Sequence, residues 1–217
     1  MRRFSEYDLL IFDCDGVVID SNELKIEAMG NALNEYDINE SKLCLNYFRH
    51  NFGKSRFHHV EIFVNDYLSV PEDEREKIVE KILGNYSTQC RELYIRANLT
   101  EGIIELLKRV EASCFIASGS EQNELREVFK KRKLDTYFND IFGSPTKKSK
   151  IVANILSKTN YQKAVMIGDA VSDFEAAKNN EIDFIAYTPY SNVSKELKEL
   201  SIKEGFVCLD SYEEINW

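Results

Sequence analysis

Four consecutive apolar residues, Leu9-Leu10-Ile11-Phe12, run directly into two acids, Asp13 and Asp15. An unbroken apolar run of this kind predicts a short strand buried on both faces. Comparable short apolar runs recur at 113–117, 140–143, 164–167, 183–187 and 205–209. Between them, apolar residues three and four apart predict helices at 101–111, 121–131, 148–156, 172–179 and 194–200. Strands alternating with helices imply a parallel sheet with helices on both faces.

One stretch departs from this alternation. From Asn22 to Ala97 the pattern is helical throughout. Ile26, Met29, Leu33 and Tyr36 mark a helix over 22–36, capped by Ser21 or Asn22. Further helices are predicted at 41–49 and 57–68. A last one starts at Pro71-Glu72-Asp73-Glu74, whose proline and acids suit a first turn, and runs to about 97 with Gly84 as a candidate break. The residues Phe52-Gly53-Lys54-Ser55-Arg56 form a basic break between helices. The expected organisation is an α/β core built from 1–20 and 98–217, with an α-helical cap inserted at 21–97.

Composition narrows the functional classes. The chain has 217 residues, 43% hydrophobic and 30% charged, as expected of an ordinary globular protein. A net charge of −9 disfavours nucleic acid and anionic membranes as partners. An acidic protein that handles an anionic substrate needs local cations, so a metal and a few placed lysines or arginines are expected. Five scattered cysteines, with no metal-like spacing, read as free thiols in a reducing, cytoplasmic setting. Cys14, between the two acids, reads as strand packing. Arg2 and Arg3 are followed by polar residues rather than an apolar stretch, so no signal peptide is expected. No apolar run approaches the ~18 residues of a membrane span.

The candidate chemistry sits at strand ends. Asp13 and Asp15, Ser118, the lysines 147, 148 and 150, and Asp169 with Asp173 each follow a short apolar run. In a parallel sheet such carboxyl ends line one edge, where ligand crevices form. Carboxylates two residues apart repel each other unless a cation or proton offsets them. Mg2+ is the simplest such cation. Asp169 and Asp173 can point to one side of a helix start, although Asp173 also suits a dipole-stabilising acid there. Ser118 is equally placed to cap the helix that follows.

The segments DCDGVVIDS, IASGS, GSPTKKSK and GDAVSD resemble the four motifs of the haloacid dehalogenase-like superfamily. The nearest branch is the phosphoglycolate phosphatase and β-phosphoglucomutase group. The resemblance covers about 9–187 and implies a Rossmann-like core with a helical cap. It implies that Asp13 is a nucleophile that forms an aspartyl-phosphate, and that Asp15 is the general acid and base. The dehalogenase branch lacks an acid at the latter position, so phosphoryl chemistry is favoured. Ser118, with Gly119 and Ser120, would bind the phosphoryl group. Lys148 is the expected motif lysine because it leaves Ile151, Val152, Ile155 and Leu156 facing the core; Lys147 is second and Lys150 solvated. Mg2+ would be held by Asp13, the Asp15 carbonyl, Asp169 and Asp173. Arg56 matches a cap position that grips a second phosphate in the mutase branch, or is a solvated helix-start charge. His50, His58 and His59 read as surface or packing residues. Ala170 stands where the family often has a hydroxyl.

The expected function is a Mg2+-dependent phosphatase acting on a small phosphorylated metabolite, a sugar phosphate or a phosphoglycolate-like ester. A phosphomutase is the alternative, and a non-catalytic phospho-ligand sensor the third reading. A monomer or weak homodimer is expected.

Overall fold

The computed structural model describes residues 4–215; Arg2 and Arg3 of the N-terminal reading lie outside the described residues. The chain enters through β1 (Leu9–Phe12) and leaves it at once for four helices: α1 (Asn22–Ala32), α2 (Ile38–His50), α3 (Arg56–Ile62) and α4 (Arg75–Arg96). It then returns to α5 (Ile103–Arg109), β2 (Ser113–Glu121), α6 (Gln122–Lys131), β3 (Asp140–Ser144) and α7 (Lys148–Lys158). The remaining elements are β4 (Ala164–Gly168), α8 (Val171–Lys178), β5 (Asp183–Tyr187), α9 (Ser194–Glu204) and β6 (Val207–Leu209).

The strands form one six-stranded sheet in the order β3-β2-β1-β4-β5-β6, and every pairing is parallel. β1 lies between β2 and β4. Leu10 and Phe12 enter one apolar cluster and Leu9 and Ile11 another, one on each face of the sheet. This two-sided burial is why β1 is apolar without alternation.

The helices between β1 and β2 pack on one another, α1 against α2 and α4, and α3 against α4. Their starts are set by local capping. Asp37 accepts the amides of Asn39 and Glu40, and Ser55 accepts that of His58. The two passages between this insertion and the sheet lie side by side: Asp20 N donates to Asn98 O (2.9 Å) and Thr100 N to Val18 O (3.1 Å).

Several elements differ from the sequence expectation. α1 stops at Ala32, four residues early, because the chain must turn before Asp37 can cap α2. The third helix starts at Arg56 and widens into a π-helical turn over Phe63–Tyr67, a change that apolar spacing does not signal. α4 runs unbroken through Gly84, at a cost near 1 kcal/mol relative to alanine that its packed stripe outweighs. β2 continues past Ala117 to Glu121, which pairs with Ser144 beyond an irregularity in the ladder. Among the described residues, no helix is long and apolar enough to cross a membrane.

Candidate active site

Three acids meet at the carboxyl edge of the central strands. Phe12 and Ile167 are register partners, and Asp13 N donates to Ile167 O at 2.9 Å, so the residues that follow β1 and β4 are neighbours. Asp13, Asp169 and Asp173 are each no more than 1% exposed, and one carboxylate oxygen of each lies within 4.8 Å of the others. Gly16 makes this possible. It adopts φ +73°, and a Cβ there would stand 2.3 Å from Asp169 Oδ2.

Lys148 enters the cluster from the first turn of α7, with its Nζ 3.0 Å from Asp13 Oδ1 and also paired with Asp173. Lys147 and Lys150 are exposed. Asp173 Oδ2 accepts the amides of Asp169 (3.1 Å) and Ala170 (3.0 Å). Asp173 therefore caps α8 and ties down the Asp169 turn while its other oxygen meets Lys148. Ala170 lacks a capping hydroxyl, but its amide is still satisfied.

Burial pushes the Asp13 carboxyl up to about 7, with Asp173 and Asp15 adding to the rise and Lys148 opposing it. Burial, then the charges of Asp13 and Asp173, push Asp169 well above the carboxylate range. Burial disfavours the Lys148 ammonium, yet Asp13 and Asp173 keep it protonated. Asp169 Oδ1 is buried without a hydrogen-bond partner. Crowded, buried carboxylates with an unengaged oxygen suit a hard divalent cation, which binds oxygen ligands.

Asp15 points elsewhere. Its carboxylate accepts four hydrogen bonds: from Ser21 Oγ (2.6 Å), Tyr94 OH (2.7 Å), Lys25 Nζ (2.8 Å) and Ser120 Oγ (2.8 Å). Burial alone would raise its pKa, but the Lys25 charge and these donors hold it below the usual range. Ser120 is thereby committed to Asp15. Ser118, fully buried, accepts the Ser120 amide (3.1 Å). Gly119 lies against the insertion: a Cβ there would stand 2.4 Å from Gly53 O.

Arg56 is neither solvated nor free. Its guanidinium donates two 3.0 Å hydrogen bonds to Glu124 of α6 and a third to Ser87 Oγ (2.7 Å). It also stacks over Tyr86. His50 bonds Asn46 O and His58 bonds Tyr47 OH, whereas His59 is buried. All five cysteines are free thiols, and burial raises Cys14 far above the ordinary thiol range, as befits a packing residue.

Sequence reasoning passed over Lys25, Tyr94 and Glu124, and considered Asn22 only as a helix cap. Asn22 Nδ2 donates to Asp169 Oδ2 (2.6 Å) and to Tyr190 O (2.9 Å). Lys25 carried a faint signal, standing on the buried face of α1 between Asn22 and Met29. Tyr94 carried another, ending the four-residue stripe Ile82, Tyr86, Cys90, Tyr94 on α4.

A parallel sheet with a helical insertion after its first strand, and an acid–lysine cluster at the strand ends, defines a class of α/β hydrolases. The chain belongs to the haloacid dehalogenase-like hydrolase family, whose sequence profile matches residues 10–187. No curated protein sequence is significantly similar to it. Solved structures share the fold over nearly the whole chain. A predicted phosphatase from Clostridium acetobutylicum superposes with a TM-score of 0.74 at 21% identity, covering 96% of this chain and 95% of that one. A haloacid dehalogenase-like family hydrolase from Streptococcus pneumoniae gives 0.68 at 17% identity, covering 94% and 95%. CbbY from Rhodobacter sphaeroides, in complex with xylulose-(1,5)bisphosphate, gives 0.68 at 16% identity, covering 97% and 100%.

Proposed function

We propose that the protein is a Mg2+-dependent phosphatase of small phosphorylated metabolites, acting through an aspartyl-phosphate on Asp13. The observation that carries this reading is the meeting of Asp13, Asp169, Asp173 and Lys148 at one sheet edge, with Asp15 held apart by its own donors. The phosphatase neighbours support it. In this reading residues 21–97 act as a cap over a core of 1–20 and 98–217.

An oxygen of Asp13 attacks phosphorus and the ester P–O bond breaks; Asp15, ionised in the resting site, takes up a solvent proton as the substrate's negative charge arrives and passes it to the departing alkoxide. Asp15, now ionised, takes a proton from water. The resulting hydroxide attacks phosphorus, and the Asp13–phosphorus bond breaks to release inorganic phosphate. The donors around Asp15 stabilise the ionised form that this second half needs. Lys148 balances charge on the phosphoryl oxygens, and Ser118 with the backbone of Gly119 orients them. Mg2+, held by Asp13, Asp169, the Asp15 carbonyl and the Asp173 side, would supply charge neutralisation at the transferring group. Asp173 contributes chiefly by orienting Asp169 and Lys148, because both of its oxygens are engaged.

The Arg56–Glu124 pair supports hydrolysis over the mutase reading, since Arg56 is already engaged by a carboxylate. Five free thiols support work in a reducing compartment such as the cytoplasm. The test is phosphate release from p-nitrophenyl phosphate, with and without Mg2+. Mg2+-dependent turnover that disappears in Asp13→Asn is expected. A folded protein inactive on that ester and on a panel of metabolite phosphates would refute the reading.

A further inference from the structure

Beside Asp15, between the helical layer and the sheet edge, lies a small pocket of about 20 Å3, bordered by Lys25, Arg56, His59, Phe48 and Tyr86 and open toward the Lys54 rim. A leaving group bound to a phosphoryl on Asp13 would project toward Asp15, and so toward this space. Its volume suits one hydroxyl-sized group.

The two buried cations that face it are already matched. Lys25 Nζ donates to Asp15 (2.8 Å), Tyr94 OH (3.0 Å) and Ser120 Oγ (2.7 Å), which uses all three of its protons. Arg56 is held by Glu124 and Ser87. The Lys54 ammonium is bound to Asn51 Oδ1 (2.9 Å) at the exposed rim. A second anionic group entering here would meet the carboxylates of Asp15 and Glu124 with no uncommitted buried cation.

His59 is the exception. It is 1% exposed, packs edge-on against Phe48 (ring centroids 4.7 Å apart), and neither ring nitrogen has a hydrogen-bond partner. Unmatched polar atoms in a buried ring are costly, and a neutral imidazole offers one donor and one acceptor. A hydroxyl, which can both accept and donate, complements it.

Resting on the phosphatase reading, we propose that His59 recognises the leaving group, and that the substrate is a phosphomonoester with a small, uncharged, hydroxyl-bearing leaving group. Burial supports this by holding the imidazole neutral, with its pKa lowered to about 3 and the charges of His58, Lys54 and Lys25 acting in the same direction.

The test compares glycerol 1-phosphate, n-propyl phosphate and phosphoglycolate, with p-nitrophenyl phosphate as the reference for general turnover. The wild type should show kcat/KM on glycerol 1-phosphate about tenfold or more above the other two small esters, the scale of one buried hydrogen-bond partner. His59→Phe should lose about tenfold on glycerol 1-phosphate and less than about twofold on n-propyl phosphate, and His59→Gln should retain most of the preference. A wild type that prefers phosphoglycolate, or treats the glycerol and propyl esters alike, overturns the inference whether or not His59→Phe folds. So does a folded His59→Phe with an unchanged substrate ratio. A wild type inert on p-nitrophenyl phosphate and the small esters alike would instead remove the phosphatase reading, and this inference with it.

Discussion

Arg56 and Glu124 hold each other through two parallel 3.0 Å hydrogen bonds across the boundary between the helical insertion and the α/β layer. Both side chains are buried. Taking away one partner strands the other charge out of water, which costs roughly 3–5 kcal/mol in comparable pairs. Glu124→Ala should therefore lower stability to urea by about 3 kcal/mol. The double variant Arg56→Met/Glu124→Leu should recover most of that loss. A double variant no more stable than Glu124→Ala would show that the pair's charges are not the cause.

Asp13→Asn keeps the shape of the site and removes the proposed nucleophile. Turnover of p-nitrophenyl phosphate should fall by on the order of 10³-fold or more, with the circular dichroism unchanged. Retention of more than a few per cent of activity would move the nucleophile elsewhere.

The crowded acids make stability depend on pH and cation together. Asp13 titrates near 7 in the folded chain and near an ordinary carboxylate value when unfolded, and Asp169 is raised too. The folded state therefore binds more protons in this window, and these groups cost stability as pH rises from about 4 through 7. In EDTA this site should lower Tm at pH 8 relative to pH 5. Added Mg2+ should offset the repulsion, so the rise in Tm it produces should be larger at pH 8 than at pH 5. An equal or reversed increment, followed by calorimetry, would count against cation binding by these carboxylates.

Lys25 reaches Asp15 from α1, and Tyr94 reaches it from α4. Lys25→Met removes the positive charge that holds Asp15 ionised, so the limb of the pH–activity profile that Asp15 governs should move to higher pH. The loss in kcat should stay below the ~100-fold that removal of a positioned acid–base group costs. An unshifted limb would mean that Lys25 serves packing alone.

The strand-end acids were legible because each signal is local. Four apolar residues, an Asp and a Gly within reach specify β1, Asp13 and the tight turn at Gly16, and helical spacing in α7 separates Lys148 from Lys147. The surroundings of Asp15 were not legible. Lys25, Tyr94 and Ser120 come from three distant segments, and their meeting depends on how α1, α4 and the end of β2 pack. Helical periodicity marks a buried face without saying what lies opposite it. Arg56 illustrates the same gap: its charge was plain, but its partner Glu124 sits 68 residues away on the face of α6 that also buries Leu125 and Val128. His59 was read with His50 and His58 as a surface or packing residue, because a histidine beside another histidine in a helix start carries no mark of what it faces.

The adjacent passages at Asp20–Asn98 and Val18–Thr100 give the protein a narrow neck. To the sheet, everything beyond that neck is topologically one turn, whatever its length. The strand-end carboxylates can then stay fixed in register while the polypeptide looped out between them is lengthened, shortened or exchanged over evolutionary time, so that the two parts become separately heritable.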